Sequence, residues 1–331
     1  MPTNPLVDIR NIDGKVWNPE KVLLELIYFI NQHGFLKVRT AREGPCLQAS
    51  GIEDLIISAC EVTNLELNKV ELLNGNLLKS AKRLPEIIVN CLDELSAIQR
   101  VETVVSSHDI RYNFGHFVGR SNWQRLFLAT ELYTNYKQKT LQTFHWQPGH
   151  DYHKSHLGFE NFVDMSKDFD MKKNMLEFLE KCPIKLTDEK SYPILQDRSI
   201  PLVDAYNEIF VDVVCETYFS GTTFFITDKT WRPILMKRPF IVQGPQYFLE
   251  NLRRLGFKTF DSWWSEEYDN CHSSMRVYEM IPAIYKIGQL SIVEMQSMYS
   301  DMEPILEHNR NVLMRLNWEE IKNCSYKYPD A

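Results

Sequence analysis

Three residues suited to binding a charged ligand follow two apolar runs in the second half of the chain. Glu216 follows the run at 209–215, and Asp228 and Lys229 follow the run at 223–227. The first run is too short for a buried helix, and its Val and Phe content favours a strand. A carboxylate can accept both hydroxyls of a ribose, and a lysine can neutralise a diphosphate. In the alternative interpretation, Asp228 only caps a helix and Lys229 is a solvated charge.

The elements around these residues position them at one edge of a sheet. The sequence predicts strands at 209–215 and 223–227, then a helix with Pro233 in its first turn, a strand at 240–242 and a helix ending at Gly256. This order of strands and helices indicates a parallel α/β sheet. Open parallel sheets bind ligands at the carboxyl ends of their strands, where helix N-termini attract phosphate.

A second candidate phosphate site follows the alternating run at 113–119. Arg120 comes directly after this run, and Ser121 opens a helix that contains Arg125. A strand, an arginine and a helix start together present backbone N–H groups and a guanidinium fork to a phosphate. Arg120 is therefore a candidate phosphate contact, and Arg125 is expected to support the structure. The alternative for Arg120 is a surface charge at the start of a helix.

Four segments resemble, in this order, the nucleotide-sugar-binding half of GT-B glycosyltransferases: ETYF, FFITDKTWRPILMKRPFIVQG, LRRLGFKTF and EEYD. The pattern is most similar to that of fucosyltransferase-like enzymes and related phage, giant-virus and bacterial proteins. Asp228 stands where that family usually has Glu, so the acid is kept but is one methylene shorter. The acidic segment that includes Glu267 and Tyr268 stands in place of the family's F-D-x-x-x-D-E-S-Y-D, without its serine.

The resemblance implies a GT-B-like α/β fold, with two Rossmann-like domains facing across a cleft and a C-terminal helix crossing back onto the first. It implies a glycosyltransferase that moves a sugar from a nucleotide sugar to a hydroxyl of a glycan or glycoconjugate. Such enzymes work without a metal or other cofactor, and the fucosyltransferase likeness favours inversion. The implied donor-binding residues are Arg120, Glu216, Thr227, Asp228 and Lys229. The implied supports of the donor loop are Arg125, Arg232, Glu267 and Tyr268.

The general base is not identified by any motif, and Glu43 and Asp151 are its candidates. Glu43 lies in a Gly-Pro loop of the N-terminal part, and Asp151 lies in a polar loop with three histidines spaced three apart. The alternative for both acids is a solvated loop position. The histidines lack a fixed Cys or Glu partner and cannot share one site well from a single helix, so we expect no metal there.

The length of 331 residues suggests two domains. We expect a small acceptor-side α/β domain at 1–108, a donor-binding domain at 109–288 and a C-terminal helical segment at 289–331. The first contains predicted helices at 19–31, 52–60 and 85–95 and strands at 35–38 and 69–73. The last contains one long helix at 291–316, after a predicted helix at 275–285.

The composition of the chain disfavours several classes of function. The net charge of −7 disfavours nonspecific binding to nucleic acid. Seven dispersed cysteines without a C-x-x-C pair fit reduced thiols better than disulfides or zinc. Neither a signal peptide nor an apolar run of about 20 residues is visible, so we expect a cytoplasmic protein. Two alternatives stay open: a non-catalytic nucleotide-binding or scaffold protein of GT-B form, and a DNA-base glycosyltransferase.

Overall fold

The chain is an α/β protein, and its described residues form two separate four-stranded parallel sheets. The computed structural model describes residues 5–9, 18–40, 43–89, 99, 110–119, 123–146, 169–186, 205–219, 221, 223–272 and 275–324. One sheet lies within residues 7–88 and the other within residues 112–243. In the described ranges, no helix is long and apolar enough to span a membrane. The six cysteines described there are free thiols, and Cys91 lies outside these ranges.

The first sheet contains four parallel strands in the order β1-β2-β3-β4. The strands are β1 (Val7–Asp8), β2 (Leu36–Arg39), β3 (Val70–Asn74) and β4 (Glu86–Ile88), and the helices are α1 (Pro19–His33) and α2 (Ile52–Thr63). Asn18 caps α1 by accepting the N–H of Lys21 at 2.9 Å, and Gly34 ends it at a φ of +70°. The predicted helices near 19–31 and 52–60 and strands near 35–38 and 69–73 are therefore confirmed.

The predicted helix at 85–95 is wrong at its start, because Glu86–Ile88 is strand β4. This strand pairs in parallel with β3, with Leu72 opposite Glu86 and Asn74 opposite Ile88. A proline before a polar and apolar run fits a helix start equally well, so pairing with β3 decides the outcome. Residues 90–98 lie outside the described part of the chain.

The second sheet contains four parallel strands in the order β6-β5-β7-β8. The strands are β5 (Tyr112–Val118), β6 (Thr140–Phe144), β7 (Ile209–Cys215) and β8 (Phe240–Gln243). The helices are α3 (Trp123–Tyr136), α4 (Phe169–Leu179), α5 (Asp228–Leu235) and α6 (Phe248–Arg254). Every residue of β7 and β8 is buried. Because both strands are covered on both faces, these segments are almost continuously apolar.

Two predictions in this region need correction. Residues 223–227 form an extended loop and not a strand. Phe224 bonds to the first unit, because its N–H donates to Asn76 Oδ1 at 2.8 Å and its carbonyl accepts the N–H of Leu77 at 3.0 Å. Pro233 lies in the second turn of α5, where it has no N–H to donate to the carbonyl of Lys229.

In the described part of the chain, four α-helices come after α6: α7 (Met275–Glu279), α8 (Ile281–Gly288), α9 (Ile292–Arg315) and α10 (Trp318–Asn323). The predicted single helix at 275–285 is two helices, because Pro282 at the start of α8 cannot continue α7. The predicted long helix is α9, which starts with a capping box of Ser291 and Glu294. Helix α9 packs against α5 and β5, and Gln99 Nε2 donates to the carbonyls of Leu313 and Leu316 at 2.8 Å each.

Candidate functional site

The polar groups gather where β7 ends and α5 begins. Thr227 is the N-cap of α5, and its hydroxyl accepts the N–H of Lys229 at 3.2 Å. Thr227 is a good cap because its short side chain can reach a helical N–H that otherwise lacks a partner. The loop that joins β7 to α5 brings Glu216 back to this helix start. The structure therefore brings together four of the five predicted donor-binding residues; Arg120 lies outside the described ranges.

Glu216 is buried, and its carboxylate is fully engaged by the protein. It accepts the Thr227 hydroxyl at 2.7 Å, the Thr230 hydroxyl at 2.5 Å, and the N–H groups of Thr217 and Thr227 at 3.2 Å each. Burial raises the pKa of Glu216, although Lys229 and these hydrogen bonds act in the opposite direction. The geometry therefore makes Glu216 a clamp for the start of α5, with no oxygen left over for a ribose.

Lys229 is partly exposed and lies within a ring of oxygen atoms. Its Nζ is 3.2 Å from Thr227 Oγ1, 3.3 Å from Thr217 Oγ1 and 3.3 Å from Asp228 Oδ1. Burial acts to lower the pKa of this ammonium group, whereas the carboxylates of Asp228, Glu43 and Glu216 outweigh burial and raise it. Lys229 therefore stays charged at neutral pH and can neutralise an anion that approaches the helix start.

Asp228 lies between two cations on the first turns of α5. Its Oδ1 pairs with Lys229, and its Oδ2 is 3.9 Å from Arg232 Nε. Burial acts to raise the pKa of Asp228, but the two cations outweigh burial and lower it. Arg232 Nε is buried and makes no hydrogen bond with any residue that the structure describes. The Arg232 guanidinium therefore keeps one buried donor unsatisfied beside the site.

Arg125 is buried and supports the loop after β7, as the sequence predicts. Its Nη2 donates to the carbonyl of Glu216 at 2.9 Å, and the carbonyl of Cys215 lies at 3.5 Å. A charged donor on the last carbonyls of β7 fixes where the chain leaves the sheet. Its charge also acts to lower the pKa of Lys229. The role of Arg125 is to position Glu216 and to add positive potential beneath α5.

Glu43 comes from the first sheet unit, and the charge of its carboxylate acts on Lys229. It belongs to the loop after β2, and its carbonyl accepts the hydroxyl of Tyr218 at 2.8 Å. Its carboxylate is close enough to act on the pKa of Lys229, as described above. Of the two candidate bases, the structure thus brings Glu43 to the site. Asp151 and the three spaced histidines lie outside the described ranges.

The acidic segment near Glu267 does not reach the site through its predicted residues. Glu267 is exposed, and Tyr268 is buried in the hydrophobic core around the second sheet. Asp269 of the same segment instead caps α6. Its carboxylate accepts the N–H groups of Leu249 at 2.9 Å and Glu250 at 3.0 Å. The chain folds back so that this acid accepts first-turn N–H groups of α6, which have no partner within the helix.

One buried acid near the site was missed from the sequence. Asp212 lies in the middle of β7, and Tyr206 donates its hydroxyl to Asp212 Oδ2 at 2.5 Å. Burial raises the pKa of Asp212 to about 7, although the Tyr206 hydrogen bond and the charge of Arg232 both act to lower it. A carboxylate inside the apolar run at 209–215 was the available signal, because a buried acid requires partners.

No group of three or more His, Cys, Asp or Glu side chains in the described ranges is placed to hold a metal ion. Comparisons with known proteins return nothing: no protein-family model, curated protein or solved structure significantly matches this chain. What the site can do must therefore be read from its geometry. That geometry offers two cations, a helix N-terminus and a facing carboxylate.

Proposed function

We propose that this protein is a glycosyltransferase that transfers a sugar from a nucleotide-sugar donor to an acceptor hydroxyl. The observation that carries the proposal is the placement of Lys229 at the first turn of α5, at the carboxyl edge of a parallel sheet, with Glu43 from the other unit facing it. Such an edge is where open parallel sheets bind nucleotides. The order of the segments that resemble GT-B enzymes agrees with this position. We propose the GT-B form on the same grounds.

In this mechanism the developing charge is on the leaving nucleoside diphosphate. Lys229 stabilises that charge, and the N-terminus of α5 adds its partial positive charge. Arg120 is proposed as a further phosphate contact from its place after β5. Asp228 orients Lys229 and Arg232, and it is the proposed acceptor for ribose or sugar hydroxyls. Glu216 is not a ligand contact in this proposal, because its oxygens hold the helix start.

Glu43 is the proposed general base. It would accept the proton of the acceptor hydroxyl as that oxygen attacks the anomeric carbon, and the bond to the diphosphate would break. A base from one unit and a cation from the other fit a reaction between two substrates bound on facing edges. Charge neutralisation by side chains can replace the metal that other transferases use, so no metal is part of the proposal. We propose inversion at the anomeric carbon.

The first test is thermal stabilisation by GDP, UDP, CMP, dTDP and ADP. A ligand at a hundred times its dissociation constant stabilises the folded state by about 2.7 kcal/mol. We expect one nucleoside diphosphate to raise the melting temperature clearly. Lys229→Ala should lose at least tenfold in affinity, because it removes the cation at the phosphate. Lys322→Ala, which removes an exposed lysine of α10 paired with Glu319, is the matched control and should change nothing.

The next test offers the protein the sugar conjugates of the nucleotide that raises its melting temperature. Turnover of such a conjugate distinguishes a glycosyltransferase from the alternative functions. Lys229→Ala should lose most activity and remain folded, and near-normal turnover would defeat the assignment. Nucleotide binding without transfer or donor hydrolysis would favour a non-catalytic scaffold. The carboxylate of Glu216, whose oxygens are hydrogen-bonded within the protein, is compatible with that alternative. Salt-dependent binding to duplex DNA would favour a DNA-base glycosyltransferase.

A further inference from the structure

The loop between β7 and α5 reaches across to the first sheet unit at three points. Tyr218 donates its hydroxyl to the carbonyl of Glu43 at 2.8 Å. Phe224 makes the two backbone contacts with Asn76 and Leu77 described above. Between them, Gly221 has a φ of +77°, which favours glycine. The loop is thus bonded at Tyr218 and at Phe224 to the segments that follow β2 and β3.

The approach at Gly221 is so close that no side chain fits there. A Cβ added to Gly221 would lie 2.6 Å from the Cβ of Cys46 and 2.8 Å from the Cβ of Ala49. The two receiving segments also press on each other, because a Cβ on Gly44 would lie 1.8 Å from the backbone nitrogen of Asn76. Packing this tight does not deform gradually, so the loop and both segments behave as one block.

The other side of the loop is fixed to its own unit. Arg276 of α7 is buried and donates from Nη2 to the carbonyl of Phe219 at 2.7 Å. Its guanidinium also lies over the ring of Phe219 at 4.4 Å from the centroid. At the end of the loop, Glu216 holds Thr227 as described above. The loop therefore connects the helix start that carries Lys229 to the segment that carries Glu43.

We propose that Tyr218 is a positioning residue that holds Glu43 opposite Lys229, so that the two units present one preassembled site before any ligand binds. The hydroxyl of Tyr218 bonds the Glu43 backbone itself, and it belongs to the loop that leads into α5. The part of this inference that concerns catalysis rests on the proposed function. The placement of Glu43 beside Lys229 is a property of the free protein and can be tested without any substrate.

The test measures the reactivity of Lys229 by competitive acylation from pH 8 to 12, read by mass spectrometry. Glu43→Gln removes a charge that raises the pKa of Lys229, so its reactivity should appear at lower pH. Tyr218→Phe removes only the hydroxyl, and we expect a shift in the same direction. The double variant should shift no further than Glu43→Gln alone. Lys322 is the reference lysine in each sample, and the control Tyr28→Phe alters an exposed tyrosine of α1.

A Lys229 titration in Tyr218→Phe that equals that of the unaltered protein would overturn the proposal. Additive shifts in the double variant would also overturn it, because Tyr218 would then act without Glu43. Gly221→Ala gives a second test, since its new methyl group must displace Cys46 or move the loop. It should shift the Lys229 titration in the same direction as Tyr218→Phe, and an unchanged titration there would count against the single block.

Turnover adds an independent readout. Tyr218→Phe should lower kcat about three- to tenfold, the effect of one lost hydrogen bond, and leave KM for the nucleotide sugar unchanged. In a Glu43→Gln background it should cost nothing more. An equal loss in both backgrounds would overturn the positioning role. If the unaltered protein turns over no donor, the proposed function fails, and the acylation result still decides whether Tyr218 positions Glu43.

Discussion

The two sheets each carry a buried polar cluster near their carboxyl ends, and the clusters differ in how completely they are satisfied. In the first, Thr40 donates to Asn74 Oδ1 at 2.7 Å, and Asn74 donates to Glu86 Oε1 at 2.6 Å. The other oxygen of Glu86 accepts the N–H groups of Ser80 at 2.7 Å and Ala81 at 2.9 Å. This network closes on itself and requires no ligand.

The second cluster contains opposite charges that do not close on themselves. Lys229 and Arg232 flank Asp228, both cations remain partly exposed, and Arg232 Nε lacks a hydrogen bond in the described ranges. Beneath them, Asp212 is buried with the hydroxyl of Tyr206 as its partner. This difference in hydrogen bonding indicates that the first cluster belongs to the scaffold and the second to the candidate site. A saturated network holds a fold together, whereas neighbouring charges with perturbed pKa values and an unsatisfied donor are a feature of ligand sites.

The largest effect that we expect in testing the difference between the two clusters is a pH dependence of the unfolding free energy, caused by Asp212. Its pKa rises from an ordinary 3.8 to about 7, so the fold favours the protonated acid. As pH rises from about 4 to about 7, the unfolded chain releases this proton first and stability falls, in total by on the order of 4 kcal/mol. Asp212→Asn keeps the acceptor for Tyr206 and cannot ionise. It should match the unaltered protein near pH 4 and exceed it in stability at pH 8, measured by urea unfolding.

The comparison of the two proteins at each pH is what isolates Asp212. His116 is buried in β5, and burial lowers its pKa from 6.5 to about 4. The fold favours the neutral ring, so this histidine removes stability as pH falls from about 6.5 to about 4, the opposite direction. That contribution is common to both proteins and cancels in their difference. A stability difference that does not change from pH 4 to pH 8 would show that Asp212 holds its ordinary pKa.

The next largest effect concerns Glu86 in the polar network of the first sheet, which we interpret as part of the scaffold. Glu86→Ala removes one of the two acceptors of the Asn74 amide, and it leaves two backbone N–H groups without their acceptor in a buried place. We expect a loss of about 3 kcal/mol in unfolding free energy, the cost of stranded buried donors. Glu86→Gln keeps one oxygen acceptor and should lose less. Nucleotide affinity, measured by calorimetry on folded protein, should be unchanged in both, and a tenfold loss would place this network in the site.

Local signals decide which parts of this fold the sequence could predict. Helix α1 is predictable from Asn18, Pro19 and Gly34, because each of them starts or ends the helix through contacts with residues nearby in the sequence. The end of α6 is similar, where Gly256 has a φ of +91° and its N–H donates to the carbonyl of Arg253 at 2.9 Å. Strand β7 was predicted because a buried central strand is apolar throughout.

Interactions distant in sequence account for the parts that could not be predicted. Strand β4 depends on pairing with β3, and the loop at 223–227 depends on bonds from Asn76 and Leu77, which lie about 150 residues earlier. A Glu after a strand predicts a polar residue at the sheet edge. It does not show whether the carboxylate faces a ligand or, as in Glu216, four donors of its own chain. Glu43 reached the site for the same reason, through a cross-unit contact with Tyr218 that no spacing encodes.

The smallest effect concerns Glu216, which has the saturation of the first cluster but the location of the second. Glu216→Gln replaces one oxygen with an NH2 group; the threonine hydroxyl on that oxygen can rotate to accept from it, but the backbone N–H on the same oxygen loses its acceptor. We therefore expect a loss of only about 1 kcal/mol in unfolding free energy, the value of one hydrogen bond. Nucleotide affinity should fall less than in Lys229→Ala, because the helix start is loosened and no ligand contact is removed.

The exposed Glu319→Gln of α10 is the matched control for this substitution. If Glu216→Gln costs as much affinity as Lys229→Ala and leaves stability unaffected, Glu216 contacts the ligand directly, and its four internal hydrogen bonds must open when the nucleotide binds. If it costs stability and little affinity, the carboxylate belongs to the scaffold. In that case the buried Glu216, which follows β7, belongs to the scaffold, and the partly exposed Lys229, in the first turn of α5, belongs to the site.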